Sequence, residues 1–286
     1  MYQFFHGKKK RPSMAHWTAL FSFILAAALA CIDIRLAVFP LAGFSVLSLS
    51  APFFPRFGYY TPVISCNRKC SKGICLTFDD GPDPNTTIHL LDLLKRYHVR
   101  AVFFVTGQKA ARHPDLISAI LKNGHEIGNH TYSHDNFLML RDVKTIIKEI
   151  GDTQREISRF SIKNLVLRPP VGITGPRLKT VIEKFDMYNI TFSCRATDYG
   201  NRRIKTLAAR ILKKIKGGDI VMLHDVMPDK LANATDATAL IHKKEFLSHW
   251  LHELETIITG IKSKGMTILP LSELANIPVN YRYRDL

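Results

Sequence analysis

The sequence predicts an α/β fold: a distorted or incomplete (β/α) barrel, preceded by one or two N-terminal transmembrane helices. Three observations predict it. From Ile74 onward, short β-rich runs alternate with longer helical patterns, the order that produces parallel strands joined by crossover helices. About seven such units follow in roughly 210 residues, the scale of a small barrel. The conspicuous polar residues also come directly after strand candidates, which in a parallel barrel is one face of the molecule. An open doubly wound sheet is the competing architecture, but no glycine-rich phosphate loop follows the first strand.

Taken in order, residues 1–13 are expected to form a basic flank, 14–55 a membrane anchor, 56–72 a linker and 73–286 the α/β domain. Lys8, Lys9, Lys10 and Arg11 precede 21 residues, 12–32, that hold no Asp, Glu, Lys or Arg. A helix of that length crosses a hydrocarbon core of ~30 Å. Asp33 and Arg35 interrupt, and 36–55 give 20 more uncharged residues, diluted by Pro40, Gly43 and several serines. The first stretch is therefore the stronger candidate span. If both cross, the domain lies on the same side as the N-terminus. Arg56, Arg68, Lys69 and Lys72 then join the first cluster in satisfying the positive-inside tendency. That hairpin, with the domain at the cytoplasmic face of a bacterial inner membrane, is the topology preferred. A single span or a cleaved signal is the alternative.

The chain carries 40 basic and 24 acidic side chains, a net charge of +16, and nine of the basic but one of the acidic lie in the first 73 residues. Such a field favours anionic partners. Nothing resembles a nucleic-acid-binding module, which leaves membrane lipid or an acidic glycan, and charge does not choose between them. Five cysteines are too few for a disulfide scaffold. Cys66, Cys70 and Cys75 are closely spaced but lack a fourth ligand for a zinc knot, and free thiols or one disulfide is the preferred reading.

Strand candidates are 74–78, 101–105, 125–128, 165–167, 189–194, 219–223 and 266–269. Helical patterns cover 86–97, 114–122, 141–159 and 245–264. Residues 202–216 read as an amphipathic helix, with Ile204, Leu207, Ala208, Ile211, Leu212 and Ile215 on one face. Seven basic residues and no acid occupy the other, which reads first as a solvated face and alternatively as one against anionic lipid or a lipid-linked phosphosugar.

The chemistry resides at the strand ends. In His130-Thr131-Tyr132-Ser133-His134 a spacing of four puts both imidazoles on one side of a helical turn, and Asp80 completes a set of two His and one carboxylate. Zinc suits those donors. Asp79-Asp80 repel one another unless a cation sits between them. Capping of the next helix is already served by Asp83 or Asn85. Asp80 then binds the metal and Asp79 takes a proton from water. His224 is placed to protonate the departing amine, with Asp198 to hold its imidazole and Arg168 to orient Asp79.

These residues resemble the polysaccharide deacetylases, carbohydrate esterase family four, which share a chitooligosaccharide-deacetylase homology domain. Thr77-Phe78-Asp79-Asp80-Gly81-Pro82 is similar to the first family motif, and His130 to His134 to the second. Arg168-Pro169-Pro170-Val171-Gly172 resembles the third, Asp198-Tyr199 the fourth and Leu223-His224-Asp225 the fifth. The resemblance covers about residues 73–275. It implies one divalent ion, zinc or else cobalt, nickel or manganese, held by Asp80, His130 and His134. It also implies Asp79 as base, His224 as acid, and Arg168 and Asp198 as their tuning partners. Pro170, Val171, Gly172, Tyr199 and Leu223 fall at substrate-binding positions, and the Val171 N–H at the oxyanion. Val171 replaces a frequent aromatic, Tyr199 a frequent Trp, and Arg195 stands near a frequent acid. The expected substrate is an acylated amino sugar in an envelope or lipid-linked glycan. The alternatives are a lipid-linked formyl sugar, an O-acetyl ester or an inactive glycan-binding module.

Overall fold

The computed structural model describes residues 12–54, 56–233 and 236–282. The basic cluster Lys8 to Arg11 and residues 283–286 lie outside them. Among the described residues the strands are β1 Gly73–Asp79, β2 Val102–Val105, β3 Glu126–Asn129, β4 Ile162–Asn164, β5 Val166–Leu167, β6 Tyr188–Asn189, β7 Cys194–Arg195, β8 Ile220–His224, β9 Thr267–Ile268 and β10 Asn280–Arg282. The main sheet runs β6-β5-β3-β2-β1-β8-β7 and its pairs are parallel. β9 adds beside the start of β1, and β10 pairs antiparallel with β4.

That order forces curvature. Its two edges, β6 and β7, are consecutive in the chain, with only residues 190–193 between them. Seven flat strands would hold those edges ~29 Å apart, whereas the short connection reaches at most ~18 Å. The sheet therefore curls into a half-barrel, closing the distance that the connection cannot span.

Strand alternation sorts the side chains of this curl. Cys75, Val102, Phe104, Val166 and Ile220 belong to one apolar cluster on its concave side. Ile74, Leu76, Phe78, Phe103, Val105, Val221 and Leu223 belong to another, shared with Trp250, Leu254, Ile257 and Ile261 of the helix Ala237–Ser263. The period of two then carries Thr77 and Asp79 of β1, Arg168 beyond β5, and Met222 and His224 of β8 to the concave side.

Several expected elements differ. The predicted strand 189–194 is two short strands separated by the edge-to-edge connection, because β6 and β7 pair with opposite ends of the sheet. The segment 202–216 is helical only over Leu207–Leu212. Its apolar face is buried as expected. Arg210 folds back on the carbonyls of Ala196, Arg203 and Lys205, which ends the uniform basic face. The helix after β1 starts at Thr87 with no side-chain cap. Asp83 instead accepts the N–H groups of Asn85 and Met227, both at 2.8 Å. The last long helix begins at Ala237, eight residues ahead of its expected start. The five cysteines are unpaired.

At the N-terminus, helix Met14–Ala30 has 17 residues, while the continuous apolar helical segment Ile34–Phe53 has 20. Among the described residues the second segment is thus the one long and apolar enough to cross a membrane. This reverses the expected ranking: Asp33 caps the second segment through the Arg35 N–H at 2.9 Å, and Pro40 is the third residue of its α-helical part, Val38–Ser50, within the first turn. The two helices lie side by side, with Phe23 and Phe44 rings 6.2 Å apart, and Tyr59 bonds Thr18 at 2.7 Å. Arg56 ties the hairpin to the barrel by donating to the carbonyls of Phe192 and Ser193.

Within the concave layer Gly128 admits the Phe104 ring: a Cβ there would lie 2.4 Å from two ring carbons. Phe104 in turn lies 4.0 Å beneath the Arg168 guanidinium. Gly128→Ala is therefore expected to cost about 1–3 kcal/mol of stability through overpacking, read as a lower urea midpoint. An unchanged midpoint would show that the ring moves freely and does not fix Arg168.

Candidate active site

Register aligns the strand exits. Asp79 is the Cα partner of both Phe104 and His224, and Asn129 is the partner of Leu167, so Asp79, His130, Arg168 and His224 leave the sheet at neighbouring positions. Asp80 departs from strand geometry, with φ of 70°. His134, Val171 and Tyr199 share left-handed φ values of 57°, 50° and 54°. All four line one cleft of about 570 Å³. Such conformations are costly for non-glycine residues and concentrate at functional sites.

The aspartates at the β1 exit are treated differently. Arg168 is 1% exposed and donates from Nη1 to Asp79 Oδ1 at 2.5 Å and to Thr77 Oγ1 at 2.7 Å. Nη2 reaches the Thr191 carbonyl at 3.1 Å. Asp80 Oδ1 instead lies 3.3 Å from His130 Nε2 and 3.1 Å from His134 Nε2. Burial raises the Asp80 carboxyl, but the two imidazoles outweigh it and hold the group well below the ordinary carboxylate range. Asp79 Oδ2 is 4.0 Å from His130 Nε2, which brings both acids to one point.

His130 to His134 is a loop, not the expected helical turn. Residues remote in sequence fix its shape. The N–H groups of Gly107 and Gln108 donate to the carbonyls of Thr131 and Tyr132. Glu149 accepts from the Tyr132 and Ser133 N–H groups at 2.9 and 2.8 Å, and Asn129 accepts from Thr131 at 2.8 Å. The imidazoles still converge, with centroids 4.9 Å apart.

One ligand atom each from Asp80, His130 and His134 lies within 4.8 Å of the other two. The donor chemistry fits a cation. His130 Nδ1 is 2.7 Å from the Arg168 carbonyl, which can only accept, so Nδ1 carries a proton and Nε2 is the nitrogen that would present a lone pair to an ion. Asp80 Oδ1 faces that nitrogen at 3.3 Å, where an ion would take the place of the imidazole proton between them. A carboxylate oxygen and an imidazole nitrogen so placed suit a shared positive ion.

His224 is 9% exposed and its Nδ1 lies 2.9 Å from Asp198 Oδ2, leaving Nε2 for the cleft. Burial lowers its pKa, but Asp198 outweighs that penalty and takes it up to about 9. Asn201 holds the backbone there, donating to the carbonyls of His224 and Val226 at 3.0 Å.

Of the expected substrate-binding residues, Val171, Gly172 and Tyr199 line the cleft, Val171 and Tyr199 about half exposed. Leu223 does not: its side chain is buried in the cluster under the helices, because alternation turns it away from His224. Pro170 is buried and does not line the cleft. Sequence reasoning missed Thr77, Glu149 and Lys109, whose Nζ donates to the Asp80 carbonyl at 2.7 Å. It also gave no role to Asp225. That buried carboxyl, pushed by burial to about 7, accepts the hydroxyls of Thr86 and Thr87 at 2.7 and 2.6 Å and so ties the loop after β1 to the end of β8.

The polysaccharide deacetylase family model matches residues 67–190. A peptidoglycan-N-acetylglucosamine deacetylase of Bacillus cereus is 31% identical over 219 residues, which cover 76% of this chain and 93% of that protein. A chitooligosaccharide deacetylase of Bradyrhizobium sp. is 30% identical over 207 residues, 71% of this chain and 91% of the relative. A crystal structure of a peptidoglycan N-acetylglucosamine deacetylase in complex with 4-naphthalen-1-yl-N-oxidanyl-benzamide superposes with a TM-score of 0.63 at 27% identity, covering 74% of this chain and 91% of that one.

The Asp198 contact gives a direct test. In metal-free protein, Asp198→Asn is expected to bring the His224 imidazole from about 9 down toward the ordinary ~6.5, followed by NMR titration. Because the folded value lies above that of the unfolded chain, this group stabilises the fold below pH ~6.5 and loses that contribution as pH rises toward 9. An unmoved imidazole would show that Asp198 does not set its charge.

Proposed function

The chain belongs to the polysaccharide deacetylase family, and on that footing we propose that it removes the N-acetyl group from an amino sugar of an envelope glycan. It is a hydrolase of N-acetyl amide bonds. The observation that carries the substrate reading is the convergence of Asp80, His130 and His134 on one point. The Asp79–Arg168 and His224–Asp198 pairs share the same cleft. The names of the relatives, one acting on peptidoglycan N-acetylglucosamine and one on chitooligosaccharide, support an N-acetylated amino sugar.

Asp80, His130 and His134 would hold one divalent ion, for which zinc is the natural choice with two imidazoles and a carboxylate; cobalt, nickel and manganese accept the same donors. When bound, the ion supplies Lewis-acid chemistry, polarising the acyl oxygen and acidifying a water. Asp79 Oδ2 accepts the proton of the attacking water, while Arg168 on Oδ1 fixes the carboxylate's direction. His224 delivers a proton from Nε2 to the departing amine. The charge of Asp198 keeps the imidazole protonated at neutral pH. The Val171 N–H, in a turn of left-handed φ, is the candidate oxyanion donor.

The hairpin of Met14–Ala30 and Ile34–Phe53 is proposed as the membrane anchor, its outer surface carrying exposed Trp17, Phe21, Phe39 and Leu49. A lipid-linked acylated or formylated sugar is the second reading, favoured by that anchor and by the basic excess. An O-acetyl ester is the third. An inactive glycan-binding module accords poorly with a complete set of ligands, base and acid.

Two variants separate the roles. Asp79→Asn is expected to lower turnover by about 10²–10⁴-fold with the metal retained. His130→Ala is expected to lose the metal. Both are read by acetate release beside elemental analysis, and a fully active Asp79→Asn protein would remove Asp79 as the base.

A further inference from the structure

The charged side chains at the cleft are not all paired with one another. Asp79 is met by Arg168, Asp198 by His224, and Asp229 by Arg202 at 2.9 Å. Asp80 faces the two imidazoles, and Lys109 is engaged by the Asp80 carbonyl. Arg112 and Arg195 remain. Among the described residues neither makes an ion pair or a side-chain hydrogen bond, and both are exposed on the cleft wall.

Their placement follows from the fold. Arg112 ends the helix Gly107–Arg112, which follows β2 on one side of β1. Arg195 lies on β7, two strands away on the other side, opposite Met222 of β8. Cys194 and Ala196 are buried in the cluster under the helices, so alternation sends Arg195 to the concave side. There its guanidinium lies 5.2 Å from the Phe192 ring, which steadies the side chain and leaves its donors free. The cleft meanwhile offers little aromatic platform. Val171 has no ring to stack on a sugar, and Tyr199 is shared with Arg203, 5.1 Å from its ring.

We propose that Arg195, assisted by Arg112, selects an amino sugar that carries a carboxylate or phosphate close to its acylamino group. A guanidinium fork matches either anion in bidentate fashion, and the paired acids deeper in the cleft do not compete for it. The inference rests on the deacetylase reading and names its substrate class. Neutral chitin-like oligomers become the poor substrates.

The test uses the detergent-solubilised, metal-loaded full chain. Its substrates are N-acetylglucosamine oligomers, peptidoglycan oligomers with free lactyl carboxylates, the same oligomers with those carboxylates amidated, and an alkyl ester of N-acetylglucosamine 1-phosphate. We expect kcat/KM for an anionic substrate to exceed that of its neutral counterpart by about tenfold or more, and the ratio to fall with added salt. Preference for the carboxylate arm or the phosphate arm identifies the source of the anion. Arg195→Gln should bring the ratio close to one, and Arg195→Lys should restore part of it. Equal wild-type rates on charged and neutral substrates would overturn the proposal, as would a preference that survives in the Arg112→Gln, Arg195→Gln double variant. Absence of acetyl release from every substrate would count against the deacetylase reading instead. Calorimetric affinities of free against amidated oligomers would then still decide the charge selection.

Discussion

At the exit of β1 two carboxylates follow one another, and a closed cleft tolerates them only if positive charge meets each. Asp79 is met by a buried arginine, itself satisfied by Thr77 and the Thr191 carbonyl and resting on Phe104. Asp80 is turned by its left-handed backbone toward two imidazoles, whose Nε2 atoms lie 3.3 and 3.1 Å from its Oδ1. The remaining features of the site can be derived from that division. One acid is locked in a fixed direction, and the other is offered to an ion.

The barrel makes the division possible. Alternation puts Thr77 and Asp79 on the same face as Arg168, and register sets His224 beside Asp79 across the β1–β8 pair. The tight crossing from β6 to β7 pulls the sheet edges together, so that strands far apart in the order share one cleft. Asp225, buried between Thr86 and Thr87, secures the loop that carries Asp80 to the end of β8 that carries His224. A carboxyl raised to about 7 by burial is tolerated there because both hydroxyls donate to it.

The strands that feed the site were legible in the sequence because each is a short apolar run ended by a polar residue, and local alternation needs no partner to be seen. Asp79, Asp80, His130, His134, Arg168, Asp198 and His224 were legible for the same reason. What was hidden depends on contacts between distant residues. The loop of His130 to His134 looks helical by spacing, but Glu149 and Gly107 pin its backbone open. Leu223 falls at a substrate-binding position by its motif, yet the period of two buries its side chain under the helices. The split of 189–194 follows from which strands pair with β6 and β7, and a single sequence does not specify pairing. In the N-terminal hairpin, Asp33 reads as an interruption, whereas folded it caps the longer apolar segment.

The central claim is that three side chains from two strand exits hold one cation beside Asp79. Anomalous diffraction from crystals of the zinc-loaded protein tests it most directly. The account predicts a single strong peak bonded to Asp80 Oδ1, His130 Nε2 and His134 Nε2, with an oxygen of Asp79 close by but outside bonding distance. A peak elsewhere, or those side chains directed away from any common ion, would contradict it.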